Sequence, residues 1–467
     1  MSTTRRQPFM GRIRRVHMVG IGGIGMSSIA EVLLARGYEV TGSDVKSSDV
    51  TRRLETLGAV IFENHAGENV SGAHVVVYSS AVDPEKNPET LEAVRTHIPI
   101  INRAVMLAEL MRMKFGIGVA GTHGKTTTTS LVGLVVGSGG FDPIVVVGGK
   151  VEAFGSNAVA GEGDIIVVEA DEYDRTFLRL TPAIGVITTI DAEHLDIYDD
   201  LDDIKDAFVQ FANSVPFFGA VAICIDEPNV QSILNRIERR VISYGFSRQA
   251  DIRAEHIASS GLSSSFSVFR DDKDLGRIHL SLPGAHNIRN ALAAIAVGLE
   301  LEIPFEDIAA GIASFSGIHR RFEMLGDSGD VITINDYAHH PTEVRATLQA
   351  ANDAWPDNRI IAVFQPHLYS RTRDLAEDFG RGFLDADVVV VAGIYGAREE
   401  PIAGVSAGLV ADAARASGHR HVEYVEERRD IAAHVSSMIE AGDRIVFMGA
   451  GDIWRSAVEF ADLQRKK

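Results

Sequence analysis

The stretch Phe115-Gly-Ile-Gly-Val-Ala-Gly121-Thr122-His123-Gly124-Lys125-Thr126-Thr127 decides how the chain is read. Its first half, Phe115 to Ala120, is a short apolar run that predicts a buried strand. From Lys125 onward the pattern predicts a helix, with Gly121-Thr-His-Gly124 as the turn between. A glycine-rich turn in that setting lets backbone N–H groups surround β- and γ-phosphates. Lys125, read here as a surface-loop residue, adds a point charge, and the Thr126 hydroxyl can reach a magnesium ion. The strict phosphate-loop spacing asks for glycine at position 119, where this chain has Val119. The loop is therefore a variant, and a chance glycine–lysine turn is the plain alternative.

Outward from the loop, further strand ends carry polar groups. Asp164-Ile-Ile-Val-Val-Glu169-Ala-Asp171-Glu172 is an apolar run closed by acids, and Ile190-Asp191-Ala-Glu193-His194-Leu-Asp196 closes the next one. Carboxylates at a strand's C-terminal end, beside a phosphate loop, suit Mg²⁺; any one of them alone could be solvated surface. Gly284-Ala-His286-Asn287-x-x-Asn290 opens an alanine-rich helix, which Asn287 could simply cap. Residues 252–281 alternate in short polar and apolar runs and read as a small antiparallel patch.

Nearer the start, Arg15 to Gly20 reads as a strand, followed by Gly20-x-Gly22-Gly23-x-Gly25 and a helix. Asp44 follows roughly 20 residues on, at the end of the second strand, where an acid can take a ribose hydroxyl. This fingerprint specifies a pyrophosphate and a ribose, not a nicotinamide, and a tight turn without ligand needs the same glycines. Towards the end, Asp336-Tyr337-Ala-His339-His340-Pro341 and Gln365-Pro366-His367-x-x-x-Arg371, with Arg373, each follow an apolar strand. Both should sit at a sheet edge that faces ligand. Glu399-Glu400-Pro401 reads as surface loop.

Composition bounds the rest. At ~150 residues per domain, 467 residues suggest three domains. Acids outnumber bases, 64 to 45, and the net charge of −19 argues against nucleic acid or an anionic membrane as partner. A single cysteine, Cys224, allows no intrachain disulfide and suits a reducing compartment, here expected to be the cytoplasm. Arg5-Arg6 loosely imitates an export signal, but the apolar stretch after it is broken by glycines, His17 and Glu31. No apolar run is long and clean enough for a transmembrane helix.

Taken together, these residues resemble the Mur ligase family of ATP-dependent amide-bond synthetases. Gly121 to Thr127 matches the family's Gly-Thr-x-Gly-Lys-Thr signature. Glu169, His194, the His286-Asn287-x-x-Asn290 run and Arg320-Arg321-Phe-Glu323 match in order, so the resemblance covers nearly the whole chain. Val19 to Met26, Tyr78-Ser79-Ser80-Ala81-Val82, Met106 to Arg112 and Asp336 to Pro341 point within the family to addition of L-alanine to UDP-N-acetylmuramate.

The resemblance implies an α/β fold of three domains: Rossmann-like over 1–108, a central mixed sheet of phosphate-loop type over 109–318, and Rossmann-like over 319–467. They would take UDP-sugar, ATP and amino acid in that order. The UDP-sugar would meet Gly20, Gly22, Gly23, Gly25, Asp44, His65, Ser79, Ser80, Asn102 and Arg103. ATP would meet Gly121 to Thr127, His286, Asn287, Asn290 and Arg320. Magnesium, or manganese in its place, would be held by Thr126, Glu169 and His194. The amino acid would meet Tyr337, His339, His367, Arg371 and Arg373, with Lys125, His194 and Arg371 in catalysis. Other members hold a second magnesium with a carbamylated lysine. Here Lys205 lies near the start of the relevant helix, and that modification is not expected.

Rival readings are a ligase joining a recycled peptide to the same UDP-sugar, an NAD-dependent redox enzyme, and a nucleotide-binding regulator. The redox reading leaves Lys125 and Glu169 without a task. The expected assembly is a monomer or homodimer.

Overall fold

The computed structural model describes residues 10–151, 156–193, 197–328, 330–397 and 399–465. Their strands form three sheets. The first holds β1 (Arg15–Val19), β2 (Glu39–Asp44), β3 (Val60–Glu63), β4 (Val75–Tyr78) and β5 (Ile100–Asn102), in the order β3-β2-β1-β4-β5. All its pairings are parallel. The order reverses between β1 and β4, the place where such sheets open a crevice for ligand. Val16, Met18, Val19, Val76 and Val77 are buried, as expected of a parallel sheet covered on both faces.

The second sheet runs through β6 (Phe115–Ala120), β7 (Ile144–Val151), β8 (Ser156–Ala160), β9 (Ile165–Glu169), β10 (Ile184–Ile187), β11 (Ala220–Cys224), β12 (Val241–Gly245), β13 (Ile252–Ser260), β14 (Ser263–Arg270) and β15 (Lys273–Leu280). Its order is β15-β14-β13-β12-β11-β10-β6-β9-β7-β8. From β12 to β7 the neighbours are parallel, and β8 returns antiparallel to β7. The expected antiparallel patch at 252–281 is the far edge of this sheet, where two-residue links force hairpins. Strand β6 lies centrally. Val119 pairs with Glu169 on one side and Val186 on the other, so β6, β9 and β10 end at one level.

The third sheet holds β16 (Glu323–Ser328), β17 (Val331–Asp336), β18 (Ile360–Phe364), β19 (Val388–Ala392), β20 (Val422–Val425) and β21 (Arg444–Met448), ordered β16-β17-β21-β18-β19-β20. Only β16 is antiparallel. Asp336, Met448 and Phe364 lie side by side, so the loops after β17, β21 and β18 leave the sheet together. Alternate residues of β18 and β21 feed two separate cores: Ile361, Val363, Ile445 and Phe447 on one face, Ala362, Phe364, Val446 and Met448 on the other. The edge strands β16 and β20 escape sequence reading because their alternation is weak; the middle of β20 is exposed.

By compactness the chain falls into two units. One unit contains residues up to 255 with 267–278 and 289–315; the other contains 256–266, 279–288 and 316 onward. The first two sheets share a unit because helix Ile24–Ala35 packs against β7 and β8. Asn157 Nδ2 donates to the Ile24 carbonyl at 2.6 Å, and the Ser156 hydroxyl donates to Glu31 at 2.9 Å. Among the described residues no helix is long and apolar enough to cross a membrane.

Candidate active site

The phosphate loop joins β6 to helix Lys125–Ser138. Gly124 caps that helix at φ +80, and a Cβ there would lie 2.5 Å from Asn290 Oδ1. Only glycine serves both demands. Neighbouring strand ends brace the turn. Thr122 N–H donates to the Thr189 carbonyl at 2.9 Å, His123 N–H to Thr189 Oγ1 at 2.8 Å, and Asp191 N–H to Thr122 Oγ1 at 2.9 Å. The Thr128 hydroxyl donates to Asn290 Oδ1 at 3.2 Å. Asn290 thus belongs to the loop's surroundings. His286 and Asn287 lie on the first turn of the same helix, Ala285–Glu300, where Asn287 Nδ2 donates to the Pro283 carbonyl at 2.8 Å.

Lys125 does not sit in an open surface loop, contrary to expectation. Its side chain is 13% exposed and Nζ lies 2.7 and 2.9 Å from the two oxygens of Glu172, itself 2% exposed. Burial disfavours the ammonium, but Glu172, Asp171 and Glu169 outweigh it and hold the lysine charged. Glu172, one of the acids that follow β9, is the partner of the loop lysine; burial, with Lys125 opposing, pushes its carboxyl up to about 7. Tyr198 Oη donates to its carbonyl at 2.7 Å. Glu169, at the end of β9, accepts the Thr126 hydroxyl at 3.1 Å and Gly148 N–H at 2.7 Å. Its carboxyl is raised above the ordinary range by burial, with the Gly148 N–H and Lys125 opposing. His194, expected beside them, lies outside the described residues.

On the first sheet, Gly20 abuts Ser79, whose N–H donates to the Val19 carbonyl at 3.0 Å, so the turns after β1 and β4 meet. The Asp44 carboxylate accepts Gly22 N–H at 2.8 Å and its other oxygen Val45 N–H at 2.8 Å; it holds the glycine turn. Gly23 lies in the same turn, and a Cβ on Gly25 would meet Arg103 Nη1 at 2.6 Å. Arg103 also lines a cleft with Glu169, Asp171 and Thr176, which links the glycine turn to the acids of the second sheet. Asn102 accepts Val105 N–H at 2.9 Å and caps the helix that carries Arg103. Ser80 is exposed. His65 lies 2.9 Å from the Ser43 hydroxyl and 3.2 Å from Glu89. Glu89, fully buried, also accepts Ser43 Oγ and Asn69 Nδ2 at 2.6 Å. Burial opposes its charge, but His17, Ser43 and Asn69 hold it below the usual carboxylate range.

At its strand ends the third sheet gathers a cationic, aromatic cluster. The rings of Tyr337 and His339 lie 5.3 Å apart, His339 and His367 6.0 Å, and His367 stacks on Tyr395 at 5.8 Å. His367 is pushed down to about 4 by burial, with His339 and Arg371 adding to it, so it is neutral near pH 7. Arg320 covers the Tyr337 ring at 4.7 Å and donates to the carbonyls of Gly449 and Gly451 at 2.6 and 3.0 Å. Within its own unit it closes the turn after β21. Arg371 and Arg373 part company: Arg371 acts on His367, whereas Arg373 is exposed and pairs with Asp374 at 2.6 Å. Asp336 takes Phe322 N–H at 2.7 Å and Ala338 N–H at 2.8 Å and sets the turn that presents Tyr337 and His339. Tyr395 and Glu399 were not anticipated, because no local pattern marks them.

A glycine-rich phosphate loop, a second glycine turn after β1 and a cluster of arginine and histidine on the third sheet mark a nucleotide-binding α/β enzyme. Residues 15–115 match the Mur ligase family catalytic domain, 119–298 the Mur ligase middle domain, and 320–451 the Mur ligase glutamate ligase domain. The chain belongs to the Mur ligase family. It is 58% identical to the UDP-N-acetylmuramate–L-alanine ligase of Salinibacter ruber (strain DSM 13855 / M31), over 99% of this chain and 98% of that one. To the enzyme of the same name from Geobacter sp. (strain M21) it is 52% identical, over 95% and 96%. A solved UDP-N-acetylmuramate–alanine ligase from Thermotoga maritima superposes with a TM-score of 0.80 at 28% identity, over 97% of this chain and all of that one. A murein peptide ligase from Psychrobacter arcticus shares the fold, with a TM-score of 0.70 at 24% identity over 97% and 98%.

Proposed function

We propose that this chain joins L-alanine to the lactyl carboxylate of UDP-N-acetylmuramate at the expense of ATP, in the synthesis of peptidoglycan precursors. One observation carries the reading: the braced phosphate loop, with Lys125 charged beside buried acids, lies in a chain 58% identical end to end to a ligase of that name. A recycled peptide as acceptor has behind it a likeness to murein peptide ligases of 24% identity over 97% of this chain and of 28% over 66% of it, well below the 58% of the alanine ligase. An NAD-dependent reaction would leave the Lys125 and Glu169 constellation idle. A location in the cytoplasm agrees with nucleotide substrates.

The chemistry follows from charge. A carboxylate is a poor acyl donor because oxide would have to leave. Transfer of the γ-phosphoryl group to the lactyl carboxylate gives an acyl phosphate, which the amine of alanine attacks and from which phosphate departs. Lys125 and the loop N–H groups stabilise negative charge on the transferred group. The Arg103 side of the cleft supports binding of the sugar's anionic end, and Arg371 supports binding of the alanine carboxylate. His367, held neutral, leaves that carboxylate to the arginine.

The family implies magnesium, and the residues fit it. The Thr126 hydroxyl and the Glu169 carboxylate lie 3.1 Å apart, both are hard oxygen donors, and burial leaves Glu169 in want of a cation. Bound there, the ion would neutralise phosphate charge during transfer.

The test is ADP release with UDP-N-acetylmuramate and a panel of amino acids and peptides. L-Alanine should support turnover best, with glycine and L-serine weaker, since one methylene is worth only about 1–3 kcal/mol. Turnover that requires a peptide, or that ignores the UDP-sugar, overturns the reading.

A further inference from the structure

Arg371 sits on helix Tyr369–Asp374, which is six residues long. A helix that short does not hold itself. Its entry is strained as well: Leu368, the residue before it, has φ +71, a left-handed conformation that a leucine rarely adopts. Something outside the segment must fix both.

The loop after β19 does so. Tyr395 N–H donates to the Pro366 carbonyl at 2.9 Å, and Leu368 N–H donates to the Tyr395 carbonyl at 3.0 Å. These two bonds flank His367, whose ring lies on that of Tyr395. Four residues on, Glu399 reaches the start of the helix. Its carboxylate accepts Ser370 N–H at 2.9 Å, the Ser370 hydroxyl, and the N–H of Tyr369. An acid at that end also favours the helix dipole. A merely solvated glutamate would hold no backbone donors. Its neighbour Glu400 is exposed.

We propose that Glu399 is a positioning residue for the amino-acid substrate: by clamping the first turn of Tyr369–Asp374 it holds Arg371 and His367 where the substrate carboxylate binds. The proposal rests on the reading that Arg371 serves that carboxylate. Glu399 touches no reacting atom; it holds the first turn of the helix that carries Arg371.

Steady-state kinetics on the full chain test it, with Glu399→Ala, Glu399→Gln, Glu399→Asp and Arg371→Ala. Misplacing a substrate-binding group by an ångström costs up to about a hundredfold, so Glu399→Ala should raise KM for alanine by about tenfold or more. KM for ATP and for UDP-N-acetylmuramate should stay within about twofold, because the clamp lies in the amino-acid cleft alone. Glu399→Asp, which keeps the charge, should recover part of the loss. Glu399→Gln is nearly isosteric and gives the same reading if the alanine variant does not fold. If Arg371→Ala raises KM for alanine and the Glu399 variants do not, this proposal falls alone. A uniform loss in all three KM values would make Glu399 a general structural residue, and would also overturn it. If Arg371→Ala leaves alanine KM unchanged, the assignment of the cleft fails and this proposal with it.

Discussion

The phosphate loop and the cleft on the third sheet both suit anions, yet they are built in opposite ways. The loop spends short groups: backbone N–H, threonine hydroxyls and one lysine, braced by strand ends that lie level with it. The cleft spends long groups: arginines and imidazoles held in place by rings and acids that come from several loops. A site of short groups is rigid because the sheet is rigid. A site of long groups is only as fixed as the side chains packed around it, and each of those gives up rotamer freedom.

That contrast can be tested first at Lys125, where the largest effect is expected. Lys125→Met should lower the rate of ligation by about 10²-fold or more, since the proposed mechanism gives its charge to the transferred phosphoryl group and no other group to replace it. The buried pairing adds a second consequence. Lys125→Ala leaves Glu172 buried without its cation; its carboxyl, already pushed up to about 7, then takes a proton, so stability should fall and fall most above pH 7. Lys125→Ala with Glu172→Gln should regain much of it in a urea titration. If the single and double variants unfold alike, the ion pair does not hold the loop.

A smaller effect is expected at Glu172 alone. Its carboxylate occupies the lysine to which the proposed mechanism assigns the triphosphate, so on that reading nucleotide displaces it. Glu172→Gln should tighten ATP binding several-fold, about 1 kcal/mol, as measured by titration calorimetry. Weaker binding would mean that the acid helps to hold the nucleotide rather than competing with it.

The smallest effect concerns protons in the cleft. His367 is pushed down to about 4 by burial, below the ordinary histidine value of 6.5. Between those two values the unfolded chain binds a proton there and the native chain does not. The His367 contribution to stability is therefore present above pH 6.5 and is lost as pH falls towards 4. Histidine resonances should show one ring that stays neutral down to about pH 4, and that ring should vanish in His367→Gln. If the ring that disappears in His367→Gln titrates near 6.5 instead, the site is wetter than its packing suggests.

The same contrast explains what could be read in advance. The loop is contiguous: strand, turn, lysine and helix fall within Phe115 to Thr127, and their spacing is the mechanism. Glu169 was legible for a similar reason, because an acid ending an apolar strand must lie at the sheet's edge. Arg373 shows the limit. Two residues from Arg371 on a helix, it points elsewhere and pairs with Asp374. Asn102 and Asp44 were read as groups for ligand, and the structure gives them caps and turns to hold. Asx side chains serve either purpose, and spacing does not say which.

By itself the sequence determined the α/β alternation, the glycine turns after β1 and β6, the acid at the end of β9 and the family to which they belong. Each is a local pattern, and local sterics and hydrophobic periodicity enforce it. The tertiary structure alone decided that Glu172 sits on Lys125, that Thr189 flanks the phosphate loop, and that Glu399 holds the helix carrying Arg371. Those pairs are 47 residues apart in the first case and 29 in the last. No propensity or spacing spans such distances. They form because parallel strands distant in the chain end at the same level of a sheet, and a buried charge or an unpaired backbone donor at that level must find its partner there.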